Sequence, residues 1–145
     1  MIWEQRVQTI AMLTKLKEGG REKVFQYWPD DIGASRTFDE IEVSMIAALD
    51  ERDYVMRTFS LQHIPTGKAR EVRHIQYLAW PDHGVPMESY SFLAYAKEVR
   101  KAHREGAPLV VHCSAGIGRA GTFIVADAQM RAFDDQGVID IGKGG

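Results

Sequence analysis

The stretch PLVVHCSAGIGRAGTFI, residues 108–124, decides how this chain folds. Leu109 to His112 is a brief apolar run after Pro108, and Thr122 to Phe133 carries Phe123, Ala126 and Met130 at helical spacing. The spacing predicts a strand, a glycine-rich turn and a helix in direct succession. A loop this short can wrap so that the backbone N–H groups of Ser114, Ala115, Gly116, Ile117, Gly118 and Arg119 converge on one point. The positive end of the helix dipole reinforces that point, and a tetrahedral dianion fits it. Glycine at 116 and 118 lets the loop close without Cβ clashes.

Two side chains turn this anion nest into a candidate for chemistry. Arg119 supplies a planar fork able to take two oxygens at once, which a lysine cannot do. Cys113 opens the loop; a thiol at a helix N-terminus beside a cation ionises more readily than a free one, so Cys113 is expected as a nucleophilic thiolate. His112 directly precedes it and is placed to orient the loop through imidazole-to-backbone hydrogen bonds. Gly116, Gly118 and Gly121 also match the G-x-G-x-x-G spacing of a dinucleotide loop, with Asp140 downstream for a ribose. That reading is weak. Cys113, Ser114 and Ala115 stand between the apolar run and the first glycine, and five residues after Asp140 cannot build the rest of such a sheet.

Upstream, Trp80-Pro-Asp-His-Gly-Val-Pro86 sets a proline on both sides of a glycine, which suits a segment that swings over a site. Cleavage of a phosphomonoester needs a proton for the leaving oxygen, and Asp82 is the candidate donor. Between the two loops, Phe92, Ala96, Val99 and Ala102 recur at three- and four-residue steps over residues 88–104, ended by Gly106 and Pro108, which predicts an amphipathic helix. Further upstream, residues 7–13, 24–28, 39–48, 54–62 and 70–79 read as strands, with TKLKEGGREK as a charged loop after the first. Val55, Arg57, Phe59 and Leu61 alternate with Tyr54, Met56, Thr58, Ser60 and Gln62, the period of a half-buried antiparallel strand. The expected class is α/β with a mixed twisted sheet flanked by helices.

The composition narrows the functions available. The chain has 145 residues, 45% hydrophobic and 26% charged, close to the average of folded domains. Its 18 basic and 20 acidic residues leave a net charge of −2, so no global basic field is offered to nucleic acid or an anionic membrane. Any anion site must be local. The single cysteine excludes an internal disulfide framework and a Cys-rich zinc site. No stretch is apolar enough for membrane insertion, and Glu4, Arg6, Lys15, Lys17 and Glu18 occupy the region where a signal sequence needs an apolar block. A reducing, cytoplasmic setting fits these facts. No repeat or linker marks a second domain.

Taken together, VHCSAGIGRAG (111–121), AWPDHGVP (79–86), MIWEQ (1–5), MLT (12–14) and YWP (27–29) resemble the tyrosine-specific, cysteine-dependent protein phosphatases in order and approximate spacing. The resemblance runs from Met1 to about Ile141 and implies that residues 1–145 form a partial catalytic domain, truncated at both ends. It implies hydrolysis of phosphotyrosine in proteins through a cysteinyl-phosphate, with Cys113 as nucleophile, Asp82 as acid and then base, and Arg119 with the loop amides from Ser114 to Arg119 holding the phosphoryl oxygens. No metal or cofactor is implied. The partners would be phosphotyrosine-containing proteins, and the setting the cytoplasm or the cytosolic side of a membrane receptor. By the same resemblance Glu18 pairs with Arg119, Lys23 lies on the loop that meets the acid loop, and Trp80 leads into that loop. Position 120 departs from the pattern, since Ala120 stands where the family usually has Ser or Thr, whose hydroxyl assists departure of the thiolate in the second step. The resemblance also implies that the family's substrate-stacking aromatic and its later glutamine segment lie outside the chain. Ala120 and the absent glutamine segment leave a phosphotyrosine-binding protein of low turnover as the alternative.

Overall fold

The computed structural model describes residues 2–80, 90–104, 106–113 and 118–136, with side chains described as far as residue 128. A six-stranded sheet has the order β4-β5-β6-β7-β1-β8, formed by β1 (Thr9–Met12), β4 (Ser35–Phe38), β5 (Ile41–Asp50), β6 (Tyr54–His63), β7 (Ala69–Tyr77) and β8 (Leu109–His112). The four strands β4 to β7 form an antiparallel meander, whereas β1 lies parallel to both β7 and β8. The sheet is therefore mixed, as the alternation in β6 and the short apolar run at 109–112 lead one to expect. Among the described residues, two helices, α1 (Tyr90–Ala102) and α2 (Gly118–Gln136), accompany it.

The period of two sends each central strand's side chains to opposite faces. Ala11 and Leu13 with Ile75 and Tyr77 join one buried cluster; Ile10 and Met12 with Val72 join the other. On the first face, Phe92, Tyr95, Ala96 and Val99 of α1 and Phe123 and Ala126 of α2 complete the packing. The i, i+3, i+4, i+7 spacing of the α1 residues is what makes one helical stripe coincide with the sheet. Tyr95 Oη donates to the Ile75 carbonyl at 2.8 Å and lies 3.3 Å from that of Met12, which satisfies its buried hydroxyl and ties α1 to β7 and β1. On the second face, Val7, Trp28, Met45 of β5, and Phe59 and Leu61 of β6 complete the cluster.

Phe92 is fully buried and meets the rings of Tyr77, Trp80, Tyr95 and Phe123 at centroid distances from 5.7 to 6.5 Å. Phe92→Ala is expected to lower stability by about 3–5 kcal/mol through lost transfer energy and a cavity that rigid aromatic neighbours cannot fill. Urea denaturation of the two proteins measures the difference directly.

Four local readings are corrected. Residues 24–28 are not a strand: Tyr27 and Trp28 both turn inward in succession, and Trp28 is only 3% exposed. The backbone there is satisfied without a ladder, because Arg36 donates to the carbonyls of Gln26 and Trp28 at 2.7 and 3.4 Å and Gln26 Nε2 donates to Trp28 O at 3.0 Å. The charged loop after β1 holds a small antiparallel hairpin, β2 (Lys17–Glu18) and β3 (Arg21–Glu22), turned by Gly19 and Gly20 at φ 59° and 77°. Positive φ at both turn positions matches the twist of a tight hairpin and favours glycine. Strand β4 was not expected, since SRTF is polar and mostly exposed; its pairing with β5 comes from ladder hydrogen bonds rather than burial. Helix α2 starts one turn earlier than the apolar periodicity suggests, at Gly118.

Candidate functional site

Strand β8 ends at His112, and Cys113 follows it, half-buried against the core on the helical face. Helix α2 begins five residues after Cys113, at Gly118, with no acidic residue in its first turn to oppose an anion at its positive end. Thr122 Oγ1 donates back to the Gly118 carbonyl at 3.0 Å within that turn. Residues 114–117 and 81–89 lie outside the described residues, so the loop positions Ser114, Ala115, Gly116 and Ile117 and the acid candidate Asp82 have no structural account. The residues on either side of both segments do.

Arg119 is the second residue of α2 and is held from three directions. Its Nη1 donates to Glu18 Oε2 at 2.8 Å and its Nη2 to Glu18 Oε1 at 2.9 Å, a two-point pair of guanidinium and carboxylate. Nη1 also lies 3.3 Å from the carbonyl of Leu13, just past the end of β1. The guanidinium carbon stands 5.1 Å from the centre of the Trp80 ring, within range of a cation–π attraction. Trp80 itself rests edge-on against Phe92, so the platform is anchored to the core. Both ends of the ion pair are about a quarter exposed.

The hairpin β2–β3 explains why Glu18 is available. Its tight Gly19–Gly20 turn places Glu18 opposite Arg21, and Lys15 N–H donates to Glu18 Oε2 at 3.3 Å. The hydrogen bond from Arg119 is the main cause that holds the Glu18 carboxyl below its usual pKa; burial opposes it, and Lys15 N–H and the charges of Arg119 and Lys23 assist. Lys23 follows β3, and its N–H donates to Leu16 O at 2.7 Å, which closes the hairpin's base.

On the other side of β8, a line of hydrogen bonds runs away from the cysteine. His112 Nδ1 is 3.4 Å from the Cys113 carbonyl, and its Nε2 is 2.6 Å from the hydroxyl of Tyr27. Tyr27 Oη is in turn 2.9 Å from Nε2 of His74 on β7. Burial lowers the pKa of both histidines, His74 much more than His112, and raises that of Tyr27. All three are therefore neutral near pH 7. Neither Tyr27 nor His74 stood out as a site residue in the sequence. A lone histidine inside a strand segment reads as an ordinary structural residue, and Tyr27 sat in a segment read as a strand.

Of the expected site residues, the structure brings together Glu18, Lys23, Trp80 and Arg119, and places His112, Cys113, Gly118 and Ala120 along one strand end and the following helix start. Ala120 is half-buried and packs against the helical-face core. Among the described residues there is no cluster of three or more His, Cys, Asp or Glu able to hold a metal ion, and no helix long and apolar enough to cross a membrane.

Comparison with known proteins supplies the context for this geometry. The family model described as protein-tyrosine phosphatase matches residues 1–143. The chain is 45% identical over 142 residues to receptor-type tyrosine-protein phosphatase F of Danio rerio, a match covering 97% of this chain and 7% of that protein. It is 44% identical to receptor-type tyrosine-protein phosphatase S of Gallus gallus, across 97% of the chain and 9% of the relative. To a tyrosine-protein phosphatase Lar-like of Caenorhabditis elegans it is 41% identical, again across 97% of the chain but 6% of the relative. The chain thus spans less than a tenth of the length of these relatives.

Proposed function

Because the chain belongs to the protein-tyrosine phosphatase family, we propose that it hydrolyses phosphotyrosine in proteins by way of a cysteinyl-phosphate, as part of a catalytic domain that includes residues 1–145. The observation that carries this reading is the two-point pair between Glu18 and Arg119 at the start of α2, one short loop after Cys113. It fixes the plane of a guanidinium at a helix N-terminus, where an oxyanion gains both charge and dipole stabilisation. A lone structural thiol would not require such an arrangement beside it.

In this scheme the Cys113 sulfur anion attacks phosphorus, and the bond from phosphorus to the tyrosine oxygen breaks. Asp82, entering as the carboxylic acid, gives its proton to that oxygen. Water then attacks the cysteinyl-phosphate while the Asp82 carboxylate takes its proton, the phosphorus–sulfur bond breaks, and the thiolate is restored. Arg119 and the amides of residues 114–119 hold the equatorial oxygens in both steps. Uncatalysed hydrolysis of phosphate monoesters is among the slowest reactions known, so preorganised charge stabilisation must remove much of the barrier. Water and the chain's own side chains supply every proton and charge the scheme requires. The partners on this reading are phosphotyrosine-containing proteins. The setting is cytoplasmic, including the cytosolic side of a membrane receptor, where the thiol stays reduced.

Release of phosphate from an aryl phosphate, inhibited by vanadate, is the expected result. A folded protein that releases none overturns the proposal. Ala120 favours a second reading, binding with slow turnover, because a methyl group cannot donate a hydrogen bond to the departing thiolate. Ala120→Ser is then expected to raise turnover roughly three- to tenfold, the worth of one hydrogen bond. Mass spectrometry should show phosphorylated Cys113 accumulating in the parent and declining in the variant. An unchanged rate with no adduct in either protein rejects trapping at the intermediate.

A further inference from the structure

The hydroxyl of Tyr27 lies between Nε2 of His74 and Nε2 of His112, and it has one proton to give. It donates to one imidazole and accepts from the other, so the tautomers of two histidines on different strands are tied together. Two directions are available, and three observations select one of them.

The first is distance. The contact with His112 is 2.6 Å, suited to an O–H donor, while that with His74 is 2.9 Å, the common length for an N–H donor to oxygen. The second is the buried Nδ1 of His74, which has no hydrogen-bond partner among the described residues. If His74 gives its Nε2 proton to Tyr27, that orphan is a bare lone pair. In the opposite direction it would be an N–H donor without an acceptor, a rarer and costlier state. The third is the Cys113 carbonyl, which can only accept, so His112 Nδ1 facing it must carry the proton. Rings of Tyr27, Trp28 and Phe59 surround His74 at 4.7 to 5.6 Å, and Trp28 is itself stacked under Arg57, so the first imidazole cannot turn over.

We propose that His74 is a positioning residue: by donating to Tyr27 it fixes His112 as the Nδ1–H tautomer, which holds and neutralises the carbonyl of Cys113. This rests on Cys113 being the nucleophile of the preceding section. The chain runs one way, from His74 to Tyr27 to His112 to the Cys113 carbonyl. A carbonyl whose partial negative charge is taken up by a donor no longer opposes an anion on the adjacent sulfur.

Long-range nitrogen–proton correlation spectra of the histidines give the tautomers directly. His74 is expected as Nε2–H and His112 as Nδ1–H; His112 found as Nε2–H overturns the proposal. The second measurement is alkylation of the single cysteine by iodoacetamide at fixed pH. His74→Leu is expected to slow it roughly three- to tenfold and to mix the His112 tautomers. His74→Gln, whose amide nitrogen falls near the former Nε2, restores both, whereas His74→Asn, which reaches only to Nδ1, does not. Alkylation at the parent's rate in the folded Leu and Asn variants, or no rescue by Gln, overturns the proposal. Where those variants fail to fold, the parent's tautomers alone decide. Missing phosphatase turnover with the expected tautomers and alkylation would sink the catalytic reading and leave the relay standing.

Discussion

Cys113→Ser is expected to reduce phosphate release from an aryl phosphate or a phosphotyrosine peptide by roughly 10⁴- to 10⁶-fold, the loss seen when a covalent catalyst is deprived of its nucleophile. A serine hydroxyl ionises far less readily than a thiol and is the weaker nucleophile at neutral pH. The exchange is nearly isosteric, at a half-buried position beyond the end of β8, so the sheet pairing from Leu109 to His112 is untouched. Phosphopeptide binding should therefore persist, and calorimetry with the variant separates capture from chemistry. A serine variant within tenfold of the parent would remove Cys113 from the reaction.

Arg119→Lys is expected to lower kcat/KM by roughly 10²- to 10³-fold, comparable to the loss of a preorganised donor to a developing oxyanion. The charge survives this change but the fork does not. A lysine can meet only part of what Arg119 now meets: both oxygens of Glu18 at 2.8 and 2.9 Å and the face of Trp80. Steady-state kinetics of Arg119→Lys and Glu18→Gln decide the matter, the second losing less because the guanidinium remains. Retention of full activity by Arg119→Lys would show that position 119 supplies charge alone. The pair also carries a pH signature. Glu18 has a lowered folded-state pKa, so its contribution to stability is complete above the unfolded value and is lost as pH falls through the folded one. Melting temperatures of the parent should fall across that acid range more steeply than those of Glu18→Gln.

The parts of this molecule that periodicity describes were legible before any coordinates. Leu109–His112 is a strand, β6 and β7 lie within a residue or two of where the period of two puts them, and Phe92, Ala96 and Val99 form the buried stripe of α1. Packing of one face against apolar neighbours is what that pattern encodes. Errors arose where another force decides. Tyr27 and Trp28 look like strand residues by propensity, yet hydrogen bonds from Arg36 to the Gln26 and Trp28 carbonyls and packing into the second core take the segment out of any ladder. β4 carries little apolar signal, and the first turn of α2 at Gly118 lies ahead of its apolar periodicity. At the site, Arg119 could be named from its spacing to Cys113. Glu18 entered only through the family resemblance, because a separation of a hundred residues leaves no local trace of a pair. His74 left none at all.

The strand order has a kinetic side. The meander from β4 to β7 closes through neighbouring hairpins, while β1 finds its places only beside Arg73 and Leu109, far along the chain from Thr9. Loop closure over such spans is slow, so the parallel β7-β1-β8 portion should assemble after the hairpins have formed. Pulse-labelled amide exchange during refolding would then protect Val72 and Phe59 before Ala11 and Val111. On the proposed reaction, activity in a newly made chain would consequently be the last property acquired, and an intermediate with a finished meander would hold both histidines of the relay on separate, undocked pieces.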